Sequence, residues 1–408
     1  MAGRYAAPHM LRGRNGHEHS KATFVELFFD LVFVFAVTQL SHTLLEHFTL
    51  AGIIETVLLL MAVWWVWIYT TWVTNWLDPD KTPVRLMLFA LMLAGLVLST
   101  SIPDAFGSRA LAFAGAYVFM QLGRSLFMLW ALRGHSPGNY RNFLRINTWL
   151  AVSAVFWIGG AFSEGEDRLL LWVVALAIEY VSPSLGFWTP GLGRSTTADW
   201  DVEGGHLAER CGLFIIIALG ESVLVTGATF AKLPWSPVTV AAFATAFVGS
   251  AAMWWIYFNI GAERGSQRIS QSSDPGRLAR LAYTYMHLPL VAGIIVAAVG
   301  DELLLAHPTG HTDFKTAAAV LGGPALYLVG NLMFKRSTAD RPALSHIVGL
   351  ILLAGLIPLA PLLPPLGFAA AANLVLVIVA VWETRSLGTG DTEPKVNKLP
   401  TGEPGEEA

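Results

Sequence analysis

The chain has 408 residues, of which 54% are hydrophobic and 13% charged, and its formal net charge is -3. A soluble domain carries about a quarter charged residues, so an ordinary soluble enzyme is excluded, and the weak net charge offers no footprint for nucleic acid. A single cysteine, Cys211, excludes an intrachain disulfide and a cysteine-based metal cluster. Fifteen Trp and twenty-three Phe, with a mean hydropathy of +0.54, suit a protein whose surface meets lipid.

Twelve apolar windows follow in chain order: 26–47, 51–76, 84–102, 109–132, 142–163, 167–188, 205–231, 237–261, 277–300, 315–334, 342–361 and 366–383. They are continuously apolar, not alternating, which predicts transmembrane helices and not a barrel. Turn residues such as Asp78-Pro79-Asp80 and Ser136-Pro137-Gly138 separate them, and the eleventh window is the weakest because Pro358, Pro361, Pro364 and Pro365 crowd its end. With the N-terminus inside, 20 of the 26 Lys and Arg fall on the cytoplasmic side and 4 outside, leaving Arg124 and Arg210 within spans. That bias predicts an even number of helices with both ends cytoplasmic.

The first residues are basic and lack the apolar stretch of a cleaved signal, so 1–25 is expected to be a cytoplasmic tail. Residues 385–408 are rich in Gly, Pro, Thr and Glu and are expected to be a disordered cytoplasmic tail. Between them the expected units are a six-helix membrane repeat at 26–188, a cytoplasmic linker at 189–204, and a second six-helix repeat at 205–384. The repeat rests on echoes between the halves. Ala62-Val63-Trp64-Trp65 resembles Ala252-Met253-Trp254-Trp255; Tyr117 with Gly123-Arg124 resembles Tyr327 with Gly330-Asn331; Glu26 and Glu209 open the first and seventh windows. Units of six helices share one orientation, a parallel duplication. The expected fold is thus all-α and polytopic, with about twelve transmembrane helices.

Ionisable side chains inside hydrocarbon are costly and mark partners, water or function. Glu26 and Asp30 lie four apart on one face of the first window, and Thr38, Ser41 and His42 continue that stripe past apolar Phe33 and Val34. Arg124 in the fourth window lies at a similar depth to Asp30, so a salt bridge between them is expected, with Glu26 as a second acceptor. The seventh window carries His206, Glu209 and Arg210, then Glu221 about three turns further in. Glu179 and His287 are the other deep groups. A structural reading stands beside the functional one: paired charges hold helix bundles together, and His287, among Tyr283, Tyr285 and Met286, reads as a hydrogen-bonded core residue. Glu221 has no nearby sequence partner and is expected to be a functional acid, with His287 as its proton partner if their helices adjoin. Trp64, Trp65, Trp67 and Trp72 read as packing. Asp301, Glu302, His307, His311 and Asp313 read as a solvated loop and not as a cation site. The chain lacks a phosphate loop, a His-Glu-x-x-His helix and a Gly-x-Ser-x-Gly elbow. No catalytic residue, metal or cofactor is expected.

The run Phe24-Val25-Glu26-Leu27-Phe28-Phe29-Asp30-Leu31-Val32-Phe33-Val34-Phe35-Ala36, with Gln39-Leu40-Ser41, resembles the opening signature of the bacterial low-temperature-requirement protein A family, LtrA. Glu209-Arg210, Leu213-Phe214-Ile215-Ile216 and Leu219-Gly220-Glu221 resemble its second recurrent stretch. The resemblance implies a bacterial inner-membrane protein linked in name to growth in the cold; it supplies no mechanism. Phe28-Phe29-Asp30 is also similar to the Phe-Ser-Asp pattern of potassium channels built on six-helix repeats. Phe29 replaces the Ser there, and Cys211-Gly212-Leu213 lacks the second Asp.

The reading that results is a non-enzymatic transporter or channel for a small ion, proton or solute, using membrane-embedded carboxylates. Two alternatives stand beside it: a non-transporting protein of cold or stress adaptation with structural charges, and an intramembrane enzyme. The expected partners are the lipid bilayer and a small ion, without nucleic acid; a homo-oligomer is compatible with the sequence.

Overall fold

The computed structural model describes residues 10–13, 21–196, 200, 202–259, 274–338 and 343–388. Among these, twelve helices follow in order: α1 (Phe24–Glu46), α2 (Leu50–Trp76), α3 (Thr82–Ser101), α4 (Ala110–Leu132), α5 (Pro137–Ala161), α6 (Gly165–Val181), α7 (Gly204–Phe230), α8 (Pro237–Phe258), α9 (His287–Ala306), α10 (Phe314–Thr338), α11 (Leu344–Leu356) and α12 (Pro365–Gly388). A helical turn at Pro275–Ala279 leads through a π-helical turn, Arg280–Tyr285, into α9. Ten of the helical segments are long and apolar enough to cross a membrane; α6 and α11 are shorter. The protein is an all-α, polytopic membrane protein.

Local chemistry sets the helix ends. Thr23 and Glu26 form a capping box on α1, Ser236 and Thr239 form another on α8, and Pro83, Pro137 and Pro237 occupy first-turn positions. The sixth window was expected to reach residue 188, but α6 stops at Val181. Pro183 and the left-handed backbone of Gly186 (φ 62°) and Phe187 (φ 49°) turn the chain there. At the other end of the chain, α12 runs to Gly388, so 385–388 are helical and not tail; 389–408 lie outside the described residues. Asp301 and Glu302, expected in a loop, belong to α9. Asp313 caps α10 by accepting from the Thr316 amide (2.8 Å), and bonding to Thr316 holds its carboxyl below the usual range.

Contacts at the helix ends orient the bundle. Arg12 reaches from Thr74 near the end of α2 to Glu26 at the start of α1, and His206 at the start of α7 meets the same carboxylate. These elements define one end, called here the entry end. Helices α1 and α7 are therefore parallel. Arg168 near the start of α6 donates to Gly107 O (3.1 Å), just before α4, so α4 and α6 start together at the far end. Lys335 near the end of α10 pairs with Glu383 near the end of α12, while the Leu366 amide donates to Pro308 O (3.1 Å), so α10 and α12 also run parallel. Short as it is, α11 must carry the chain back across the bundle between them.

Packing then follows a simple order. In the first half α1 packs on α2 and α3, α3 on α4, α4 on α5, α5 on α6, and α2 on α4 and α6. In the second half α7 packs on α8 and α9, α9 on α10, α10 on α11, α11 on α12, and α8 on α10 and α12. The halves meet where α1 and α2 contact α7 and α9. The closest packing is α9 on α10: a Cβ on Gly293 would lie 2.5 Å from Tyr327 N, and one on Gly323 would lie 2.6 Å from Ala297 N. Small residues admit this backbone approach, which dispersion forces reward in a membrane. The Trp echo lands in opposite environments. Trp64 and Trp65 are fully buried at the meeting of the halves, where Trp64 Nε1 donates to Thr284 O (2.7 Å), whereas Trp254 and Trp255 are about half exposed (45% and 46%).

Candidate functional site

The buried face of α1 carries Phe29, Phe33, Ala36, Val37 and Leu40, and Glu26 and Asp30 lie on that same inward face. Facing them, α7 presents His206 and Arg210 one turn apart. All four are fully buried. Arg210 Nη2 donates to Asp30 Oδ1 (2.6 Å), and its Nη1 lies 2.9 Å from Glu26 Oε1. Trp67 Nε1 of α2 donates to the same Asp30 oxygen (2.8 Å), and the Arg210 guanidinium sits 5.8 Å from the Trp67 ring centroid. Arg12 Nη2 donates to Glu26 Oε2 (2.9 Å), which also accepts from the Thr23 amide and hydroxyl. Two carboxylates thus meet two guanidinium groups, and the charges balance.

His206 completes the cluster as a neutral ring. The Asn75 amide is oriented by Glu203, whose N–H donates to Asn75 Oδ1 (2.9 Å) and whose carbonyl accepts from Nδ2 (2.8 Å). The second Nδ2 hydrogen then faces His206 Nδ1 at 3.3 Å, making Nδ1 an acceptor. With Nδ1 accepting, Nε2 carries the proton and donates to Glu26 Oε1 (2.9 Å), and Arg12 Nη2 lies 3.2 Å from the same nitrogen.

The expected Asp30–Arg124 salt bridge does not form. Arg210 takes Asp30, while Arg124 donates to Val66 O (3.1 Å), Thr70 Oγ1 (2.9 Å) and Gln121 Oε1. Counting depth along the helices could not show that Arg124 turns to α2, where Val66 and Thr70 hold it, and not to α1. Gln121 turns its Nε2 to Glu179 (2.8 Å), which also accepts from Tyr117 OH (2.6 Å), Ser153 Oγ (2.5 Å) and Trp157 Nε1 (3.0 Å). Glu179 and Arg124 therefore belong to one buried network, joined through an amide.

Glu221 has a partner after all: the Thr38 hydroxyl donates to its Oε1. The same hydroxyl lies 3.1 Å from Val34 O, and Ser41 Oγ donates to Thr38 O (3.0 Å). Helices α7 and α9 do adjoin, but His287 is not joined to Glu221; its Nε2 pairs with Tyr257 OH (2.8 Å) and its Nδ1 with Ala282 O (2.8 Å). This favours the core reading of His287. His42 and Glu209 leave the seam. Both are exposed, and Glu209 accepts from the Ala22 amide (3.2 Å) at the chain's entry into α1. Consecutive helical residues point about 100° apart, so each sits just off the stripe its neighbour joins.

The sequence reading missed two features. Arg12, counted as a tail charge, is part of the cluster. Glu383 is the other: it meets Lys335, Ser345 Oγ (3.2 Å) and His346 Nδ1 (3.3 Å) near the entry end. Among the described residues no group of three or more His, Cys, Asp or Glu could hold a metal ion.

A polytopic helical bundle with ion pairs buried between its first and seventh helices is the class of protein these observations define. The bacterial low temperature requirement A (LtrA) family model matches residues 21–381, and the chain belongs to that family. It is 44% identical over 381 residues to an uncharacterized protein of Rhizobium meliloti (strain 1021), covering 92% of this chain and 91% of that one. No solved structure matches the chain.

Proposed function

We propose that the chain is a transporter or channel, not an enzyme, that moves a small cation or proton along the α1–α7 seam of the bacterial inner membrane. The observation that carries this reading is Asp30. It is fully buried and bonded only through Oδ1, while Oδ2 has no hydrogen-bond partner. A carboxylate with an unused oxygen inside a membrane is a place for a proton or cation to bind. Farther along the same two helices Glu221 and Thr38 make a second station, about 12 Å from Asp30 by the α1 rise to Thr38. Phe33 of α1 and Phe214 of α7, both buried, lie along these helices between the two stations.

Two parallel six-helix repeats are part of the proposal. The same order of helix packing recurs in each half, α1 and α7 run parallel, and the sixth helix of each half carries a carboxylate held by its fourth and fifth helices, Glu179 and Glu383. In this reading all twelve helices cross the membrane, and the 20-to-4 charge bias supports cytoplasmic ends.

Purified protein in liposomes tests this through proton, potassium and sodium flux. The native chain is expected to conduct, and Asp30→Asn or Glu221→Gln to lose flux by about tenfold or more. Native-like flux in both variants would overturn the reading. One observation favours a purely structural role: the charges around Glu26 balance and every Glu26 oxygen is bonded. Absence of flux from the native protein would decide for that alternative.

A further inference from the structure

We propose that Arg12 is a tethered cation plugging an oxygen-lined cation vestibule at the entry end of the α1–α7 seam. Residues Met10–Arg12 form a short strap along the chain that leaves α2. Leu11 pairs antiparallel with Leu77, the Arg12 amide donates to Trp76 O (2.9 Å), and the Asp78 amide donates to Met10 O (2.8 Å). Met10 is buried, so the strap is seated and not merely resting on the surface. Its backbone register aims the Arg12 side chain inward, where Nε donates to Thr74 O (2.8 Å) and Leu77 O (3.1 Å) and Nη2 to Glu26 Oε2 (2.9 Å).

Those acceptors share a chemistry. The last carbonyls of a helix have no donors of their own, and they carry the negative end of its dipole. The amide that would bond Thr74 O from four residues on is that of Asp78, and it is turned to Met10 instead. Among the described residues, two such carbonyls, one carboxylate oxygen and the His206 ring, whose Nε2 lies 3.2 Å from Arg12 Nη2, line this place, and the three oxygens suit a guanidinium ion or a hard monovalent cation. Directly behind it, Glu26 leads to Arg210 and Asp30. The strap therefore closes the mouth of the seam by filling the place an incoming cation would take. The gating consequence rests on the transport reading, whereas the vestibule stands on the geometry alone.

Two variants test it in the full chain. Leu11 and Leu77 form a non-hydrogen-bonded pair, with Cα atoms about 4.5 Å apart, a span a disulfide bridges. Leu11→Cys with Leu77→Cys keeps Arg12 and locks the strap on oxidation. Arg12→Ala removes the plug. In liposomes Arg12→Ala is expected to conduct about tenfold faster than native, as its open fraction rises. The oxidised double-cysteine protein is expected to conduct less and to recover with reductant. In detergent, low-millimolar guanidinium, and potassium or sodium at higher concentration, are expected to raise the thermal midpoint of Arg12→Ala and leave the native protein unchanged. Oxidised protein that conducts like the native chain overturns the strap as a gate. Arg12→Ala whose thermal midpoint ignores all three cations overturns the vestibule. Guanidinium rescue without flux from any form defeats the transport reading alone and supports the vestibule.

Discussion

Around Glu26 and Asp30 the shared counter-ion, Arg210, comes from 180 residues along the chain, as does the neutral His206 ring, while Arg12 reaches Glu26 from the strap before α1. Around Glu179 no cation among the described residues touches the carboxylate, and four neutral donors from α4 and α5 surround it, with Arg124 one amide away. Both sites are buried in a layer where water cannot solvate charge. The first answers with opposite charge and in doing so fastens the two halves together. The second answers with hydrogen bonds and stays within one half. Cutting the first should therefore open the interface between halves, while cutting the second should loosen one half only.

The largest effect expected is from Arg210→Met. Removing this guanidinium leaves two buried carboxylates without their shared counter-ion, and breaking a buried pair by one partner costs about 3–5 kcal/mol. The measurement is the thermal midpoint in detergent, and adding Asp30→Asn to Arg210→Met should restore part of the loss. A midpoint like that of the native protein would mean that these ion pairs do not join the halves. Glu179→Gln is the matched change at the second site. The amide keeps the shape, but either orientation turns its NH2 toward Trp157 Nε1 or Gln121 Nε2, both donors. One donor is then left facing another, worth about 1–3 kcal/mol. A loss from Glu179→Gln as large as that from Arg210→Met would erase the distinction between the sites.

How much of this was legible follows from what hydropathy encodes. Continuous apolar runs placed all twelve helices, and ionisable residues inside those runs pointed to Glu26, Asp30, Arg210, Glu179 and Glu221. Height along a helix could be counted; bearing around the bundle could not. That is why Arg124 was matched to Asp30 at equal depth while Arg210 was the true partner, and why His42 and Glu209 were drawn into a stripe they leave by one residue. Arg12 was illegible for another reason. A single arginine in a basic segment looks solvated, and only the pairing of Leu11 with Leu77 brings it under α2. Glu383 and Lys335 both lie near helix ends, where charge is cheap, so nothing in the sequence singles them out.

The smallest effect expected on stability is at Thr38, and there the comparison turns to function. Thr38 stands between Glu221 Oε1 and Val34 O, and its one hydroxyl proton can serve only one of them at a time. When Glu221 is ionised the hydroxyl donates to it; when Glu221 is protonated the acid can donate to Thr38, whose proton turns to Val34 O. Such a hydroxyl serves either charge state without leaving a buried group unpaired, which Glu179, fixed by four donors at once, lacks. Thr38→Val keeps the branched shape and removes the exchange, at about 1 kcal/mol in stability. Its expected signature is a loss of proton-coupled flux much larger than its loss of thermal stability, with Thr38→Ser retaining both. A Thr38→Val protein that carries native flux would make the hydroxyl a packing detail and place Glu221 with Glu179, as a carboxylate that is held and does not exchange.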